Sequence, residues 1–377
     1  MVNRQRILDT FLTLVSFDSE SFSERRIKEY LRGRLDALGM HPAEDDADLL
    51  CGMRSPESAG NLYARLDGNA DGEALLFSSH MDTVKPGRGK HPVVHEDGTI
   101  TSDGTTVLGA DDCGGLAAIL EALAVLVEED LPHPTVEVLF PVAEELYGRG
   151  SDRFDYTKLA AKIAYCLDLT GEIGHAVTDA PTILSVDVRV IGRSAHAGFN
   201  PEEGINALTA AAKALAQIPT GRVADDTTVN FGLISSGTIT NAVPGDVKIG
   251  GEVRSLRHEE ALRRGEEIRR IFETEADVLG ARAEIEIREQ VRAYRTPRDH
   301  RVVTRFEEAV RAAGLEPTLG VTFGGADQNH FAKHGITGIV VSSAMHDVHT
   351  VHEYTKIDEL VSLAGIVLRL MGGEENH

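Results

Sequence analysis

Ala74-Leu75-Leu76-Phe77-Ser78-Ser79-His80-Met81-Asp82 is a short apolar run that stops on a metal-ligating type of residue. The pattern recurs on unrelated stretches: Thr135 to Ala143 runs into Glu144-Glu145, Ile163 to Leu167 into Asp168, and Gly338 to Ala344 into a segment carrying His349. Apolar runs of this length, set between stretches of helical periodicity, read as buried strands of an α/β sheet. In an open sheet of that kind the carboxyl ends of the strands line one crevice, so residues at those ends meet although they are distant in sequence. The pattern therefore predicts a single active site. A fifth element, Leu108-Gly109-Ala110-Asp111-Asp112-Cys113-Gly114-Gly115, puts two carboxylates at the start of a helix expected from about Leu116 to Val127, which would turn both toward the same crevice.

With 377 residues, 42% of them hydrophobic, the chain is long and apolar enough for two compact domains with a core in each. That excludes a disordered protein. Sixty acidic against 38 basic residues give a net charge of −22, which excludes nucleic acid or an anionic membrane as the main partner. Cys51, Cys113 and Cys166 are too few and too scattered for a disulfide framework or a thiolate zinc site, and they fit a reducing compartment. Phe11 to Phe17, interrupted by Thr13 and Ser16, reads as one face of an opening helix rather than a signal peptide. No run approaches the roughly 20 apolar residues that span a bilayer. The expected location is cytoplasmic.

Helical and strand patterns alternate through residues 1–178, the first part of a catalytic domain. Residues 179–294 then follow the order strand, helix, strand, strand, helix, strand. The strands are Ile183 to Val190, Thr227 to Ile234, Val247 to Val253 and Ala283 to Arg288; the helices are about Gly204 to Gln217 and His258 to Leu279. That order is the ferredoxin-like arrangement. The α/β texture resumes over 295–377, with a helix from about His300 to Ala313, a strand at Gly338 to Val341 and a closing helix from Ile357 to Met371. The simplest topology is a catalytic domain, a mixed sheet flanked by helices, interrupted by an inserted α+β lid or dimerisation domain.

His80, Asp111, Glu145, Asp168 and His349 together offer two imidazoles and three carboxylates. A nitrogen and oxygen set without thiolate suits Zn²⁺, with Co²⁺ or Mn²⁺ as chemical alternatives. Two divalent ions balance such a set, because three carboxylates and one hydroxide offset four positive charges. Asp82 is spaced to accept from the imidazole nitrogen of His80 that is not on a metal. Glu144 and Glu145 are consecutive and their side chains diverge, so one can ligate while the other serves as general base. An isolated Glu-Glu pair is ordinarily a solvated surface feature; joint placement with the other strand ends gives it meaning.

Ser79-His80-Met81-Asp82-Thr83-Val84, the run from Asp103 to Asp112, and Glu144-Glu145 resemble the motifs of the dinuclear-zinc metallopeptidases, the family of peptidase T, glutamate carboxypeptidases and aminoacylases. The similarity is strongest to the peptidase T branch and covers essentially the whole chain. It implies that His80 and Asp168 hold one zinc, Glu145 and His349 the other, and Asp111 bridges them. It also implies Glu144 as general base, Asp82 as the group orienting His80, and a cis peptide at Asp111-Asp112. Gly192 to Gly198 resembles the segment whose histidine, here His196, stabilises the tetrahedral intermediate, in many relatives across a homodimer interface made by the inserted domain. Asn241 and Arg254 match substrate-contacting positions, Arg254 the one that binds a carboxylate. Gly324, Gly325 and Asn329 lie in a segment similar to the glycine-rich substrate loop. His349 is preferred over His346 and His352 because it stands four residues before Glu353, the spacing the family shows.

Where the family has lysine this chain has Cys113, so that lysine's hold on the helix start is lost or replaced. A helix N-terminus lowers a thiol's pKa, which makes a reactive thiolate the functional alternative to a buried, inert side chain. Read without the resemblance, His196 is an ordinary loop histidine and Arg254 an arginine that pairs with an acidic neighbour. The function expected is a metal-dependent exopeptidase on short peptides, a tripeptide aminopeptidase in the first place, acting through a metal-bound hydroxide with Glu144 as base. A deacylase or desuccinylase of N-acyl amino acids, or a carboxypeptidase, would use the same metals. A non-catalytic peptide-binding protein is the rival from another class, and it has no need of Glu144.

Overall fold

The computed structural model describes residues 1–237 and 239–372. They form a mixed α/β structure that divides into two compact units, one of residues 1–179, 295–321 and those from 326 on, the other of 180–294 together with 322–325. Four parallel strands make the centre of the first unit's sheet, in the order Val136–Phe140, Leu75–Ser78, Ile163–Leu169 and Thr337–Ser342. Every residue of the first two is buried, as expected of parallel strands covered on both faces. Their carboxyl ends consequently open on one side of the sheet.

Leu62–Leu66 and Ala43–Glu44 extend this sheet antiparallel on one side; on the other, His175–Ala180 runs antiparallel to Thr337–Ser342 and is itself paired in parallel with Thr318–Val321. These outer strands are not evident in the sequence. Leu62–Leu66 carries Arg65, and His175–Ala180 mixes His175, Thr178 and Asp179 into an apolar run that stops at Pro181, so neither reads as a buried strand. A small sheet of Val93–Val94, Thr99–Thr101 and Tyr354–Lys356 and the short helix Asp327–Lys333 were equally unannounced.

The helix Ala110–Glu128 is buried from Ala110 to Leu126 and packs between the helices Arg4–Val15 and Ile357–Met371, which explains its apolarity on every face. It begins earlier than the expected Leu116, although Asp111 and Asp112 depart from helical angles and the peptide between them is cis. Gly114 and Gly115 are helical because nothing larger fits: a Cβ on Gly114 would stand 2.3 Å from the Ser343 carbonyl oxygen, and one on Gly115 2.7 Å from the Asp112 carboxylate. Among the described residues no helix is long and apolar enough to cross a membrane.

The second unit is an antiparallel sheet in the order Gly221–Ala224, Thr227–Ser236, Asp246–Ser255, Thr182–Ile191, Arg282–Val291. Its four long strands follow the ferredoxin-like order. Leu184, Val186, Val188 and Val190 point alternately to one face and bury it under the helices Ala207–Leu215 and His258–Val278. Thr322–Gly325 joins this unit from the far side of the sequence, with Gly325 tight against Ile183 and Val291.

Candidate metal centre

At the carboxyl ends of the central strands, two groups of potential ligands share one carboxylate. His80, Asp111 and Asp168 form the first, and Asp111, Glu145 and His349 the second; within each, the ligand atoms all lie within 4.8 Å of one another. Asp111 divides its oxygens: Oδ1 is 3.0 Å from His80 Nε2, and Oδ2 is 3.1 Å from His349 Nε2. His349 Nε2 is also 3.1 Å from Glu145 Oε2, while Asp168 Oδ1 stands 3.8 Å from His80 Nε2. Of the three histidines in its segment only His349 faces these carboxylates. His346 pairs with Glu359 and stacks on Tyr354, and His352 belongs to neither group.

The electrostatics of the cluster call for cations. Burial, reinforced by the charge of the Asp111 carboxylate and opposed by that of His80, pushes Asp168 and Glu145 above the ordinary carboxylate range. The carboxylates of Asp111 and Glu145 push His349 up to about 10, so that a proton stands where positive charge is required. Glu145 Oε1 is buried without a hydrogen-bond partner. An orphaned buried carboxylate oxygen beside a shared aspartate fits a metal ligand set. Glu144 belongs to neither group; it is buried beside them, and burial and the Asp168 carboxylate raise its proton affinity well above that of an ordinary glutamate.

The neighbours of this cluster differ from expectation at Asp82. His80 Nδ1 lies 2.9 Å from the Asp82 main-chain carbonyl and 3.4 Å from its carboxylate, so the backbone makes the shorter contact. The carboxylate instead accepts from the Glu144 and Glu145 N–H groups at 2.9 and 3.3 Å and from the Ser21 hydroxyl at 2.7 Å. It thus pins the turn that presents both glutamates. Glu24 does the same from below: its Oε1 accepts from the N–H of Ala143 at 3.1 Å and of Phe22 at 2.8 Å. Glu353 accepts from the Gly109 and Asp111 N–H groups at 2.8 and 2.9 Å, fixing the backbone of the shared aspartate. Glu24 escaped the sequence reading because it lies in an amphipathic helix start with no strand end near it. Glu353 served there only as a spacing mark. Ala143, Tyr147 and His349 all have left-handed backbone, with φ of 51°, 68° and 63°, and such conformations cost about 1–3 kcal/mol each; the Glu24 carboxylate on the Ala143 N–H holds the first of them.

Asp112 does not join Asp111. It is fully buried, and burial raises its carboxyl's proton affinity well above that of an ordinary aspartate. In the second unit, His196 and Asn241 are brought together by pairing of their segments, Ala197 N–H donating to the Asn241 carbonyl at 2.9 Å and Val243 N–H to that of Ala195 at 2.9 Å. Arg254 is held by Glu252 through Nε and Nη2 at 2.8 and 2.9 Å, and its Nη1 donates to the Phe323 carbonyl at 2.8 Å. Three of the guanidinium's five donors are taken, leaving two. Gly324 and Gly325 lie in this unit, whereas Asn329 lies in the first, buried, with its Oδ1 accepting from Ala326 N–H at 3.1 Å. The glycine-rich segment is therefore not one loop but two pieces with separate attachments.

Residues 76–372 match the sequence profile of peptidase family M20/M25/M40. The chain belongs to this family. The YqjE protein of Bacillus subtilis (strain 168) is 38% identical over 371 residues, covering 98% of this chain and 99% of its own. Two solved structures align over 98% of both chains: aminopeptidase PepT of Bacillus cereus ATCC 10987, 37% identical with a TM-score of 0.90, and a tripeptidase of Staphylococcus aureus subsp. aureus Mu50, 34% identical with a TM-score of 0.93.

Against the lysine that the resemblance implies at position 113, this M20 chain buries both Cys113 and, from another segment, Lys90. The Lys90 side chain lies against Gly109, its ammonium donates to the Gly87 carbonyl at 3.2 Å, and its charge acts on Cys113 and Glu353. Burial pushes the Cys113 thiol up to about 12, the opposite of an activated thiolate. The helix N-terminus loses to desolvation here.

Glu353→Gln tests the support of Asp111. Glutamine offers one acceptor oxygen to two backbone N–H groups and turns its own NH₂ toward one of them. We expect a loss of about 1.5–3 kcal/mol in urea denaturation of the metal-free protein, the range for hydrogen bonds to a charged group.

Proposed function

We propose that this chain is a metal-dependent exopeptidase that hydrolyses short peptides, most specifically a tripeptide aminopeptidase. The observation that carries this reading is the Asp111 carboxylate shared between two ligand groups, with Glu144 buried beside both and part of neither. The PepT and tripeptidase structures that align over nearly the full chain support the choice of peptide substrates.

His80, Asp111 and Asp168 would hold one divalent ion, and Asp111, Glu145 and His349 the other. Zinc suits the donor set best, with cobalt or manganese as alternatives. Ions bound there supply Lewis acidity toward the scissile carbonyl and toward water. Glu144 then takes a proton from the attacking water as its oxygen bonds to the carbonyl carbon, and delivers that proton to the amine nitrogen as the C–N bond breaks. Its burial favours the protonated form needed for the second step. Asp82 and Glu24 hold the turn that aims Glu144, and Glu353 holds Asp111. In the second unit, His196 is assigned to the developing oxyanion, with Asn241 beside it on the substrate. The two donors of Arg254 not taken by Glu252 and Phe323 remain for a substrate carboxylate, and Gly324 and Gly325 bring a close-fitting backbone to the same region.

A reducing, cytoplasmic setting agrees with the three unpaired cysteines. Homodimerisation through the second unit is supported by its sheet edge: beyond Val229 the strand Thr227–Ser236 has no neighbour on one side among the described residues, and Leu233 and Ile234 are exposed along it. Such an edge invites pairing with another copy. Sedimentation at micromolar concentration should give a dimer, and Leu233→Lys with Ile234→Lys a monomer; a monomeric parent protein removes the proposal.

Incubating the metal-loaded protein with dipeptides, tripeptides, C-terminal amides and N-acyl amino acids should show release of the N-terminal residue from tripeptides fastest. Preferential cleavage of N-acyl amino acids would assign a deacylase instead. Metal analysis should give two ions per chain for the parent and for His352→Ala, and one for His349→Ala. Glu144→Gln should retain both ions and lose about 10²- to 10⁴-fold in kcat.

A further inference from the structure

We infer that Phe199 is a positioning residue: its ring, with the main-chain amides of Gly198 and Phe199, holds His196 in the tautomer that carries its proton on Nε2. The inference deepens the assignment of His196 made above and rests on it for its catalytic consequence.

Two donors converge on one ring nitrogen. The N–H groups of Gly198 and Phe199 both point to His196 Nδ1, each at 3.1 Å. A neutral imidazole has one protonated and one bare nitrogen, and only the bare one can accept. Nδ1 is therefore the bare nitrogen and Nε2 the donor. Which nitrogen carries the proton is set by the bond the other one makes. The backbone supplying these amides is itself tied down, with His196 N–H donating to Asn200 Oδ1 at 3.3 Å, Asn200 N–H to the His196 carbonyl at 3.2 Å, and Asn200 Nδ2 to Glu203 at 2.7 Å.

The Phe199 ring stacks on the imidazole with centroids 4.2 Å apart and planes at 24°. Phe199 is 86% exposed, so the ring does not serve a core. It covers one face of the imidazole and restricts rotation about χ2, the motion that would take Nδ1 away from its two donors. Stacked aromatic pairs add a favourable contact beyond the area they bury. Without it, a flipped ring would turn a carbon edge or a bare nitrogen toward the substrate. An oxyanion is stabilised by an N–H aimed at it and repelled by a lone pair.

The test uses the full-length protein labelled with ¹⁵N-histidine. Long-range ¹H–¹⁵N correlation identifies the His196 signal by its absence in His196→Gln. The parent and Phe199→Tyr should show Nε2 protonated and Nδ1 bare; Phe199→Leu should show a mixture of tautomers. With the best peptide substrate, kcat of Phe199→Leu should fall about 10-fold through misorientation of the donor, with KM within about 2-fold and with recovery in Phe199→Tyr. Protonated Nδ1 in the parent overturns the inference. So does a Phe199→Leu protein that raises KM at unchanged kcat, which would place the ring on the substrate, or one unchanged in both spectrum and kinetics. If no peptide is turned over, the peptidase reading fails, and the tautomer spectra still decide the role of Phe199.

Discussion

The constraint on which the site depends is the gathering of like charges. Asp111, Glu145 and Asp168 come from three separate elements, and Glu145 and Asp168 each bring a ligand oxygen within 4.8 Å of one on Asp111 at the end of a parallel sheet. Carboxylates so arranged repel, and desolvation adds to the cost. His80 and His349 are each set against Asp111. Divalent ions would answer more completely, and this demand for positive charge is what gives meaning to Glu145 Oε1, buried and unpaired. The surrounding polar groups then have a common purpose. Asp82, Glu24 and Glu353 spend their oxygens on main-chain N–H groups, so that the ligands' backbone cannot relax apart.

This arrangement was readable in the sequence where chemistry and burial coincide. The central strands are mostly apolar and end at or near ligands, so the sheet and the convergence of its strand ends follow from pattern, whereas the choice of His349 over His346 and His352 rests on the family resemblance. The closing helix Ile357–Met371 was legible to the residue because its apolar stripe is regular. Outer strands were not legible, since Leu62–Leu66 and His175–Ala180 are half-polar and derive their order from neighbours rather than from composition. The same limit applies to Glu24 and Glu353. Each is an ordinary glutamate until the fold places backbone donors against it. Sequence spacing could suggest that Asp82 serves His80, yet only coordinates show its carboxylate turned to the next turn along.

Position 113 illustrates how a local rule yields to burial. A cysteine near a helix start promises an acidic thiol, but the helix here is submerged on all sides, and a low-dielectric surround outweighs the partial charge of the helix end. Lys90, contributed by another segment, brings a buried ammonium to the same neighbourhood.

The second unit is not a removable cassette. Four residues, Thr322–Gly325, return to it after the chain has already resumed the first unit at Arg295, and Phe323 is fastened there by Arg254 through its carbonyl and by Arg222 over its ring. A graft of 180–294 onto another scaffold would leave Ile183, Val291 and Arg254 without these partners, and a deletion would strand an aromatic residue in solvent. Exchange of this unit between relatives therefore has to carry two non-contiguous pieces of sequence, so recombination at a single pair of crossovers is disfavoured and its boundary residues are bound to change together.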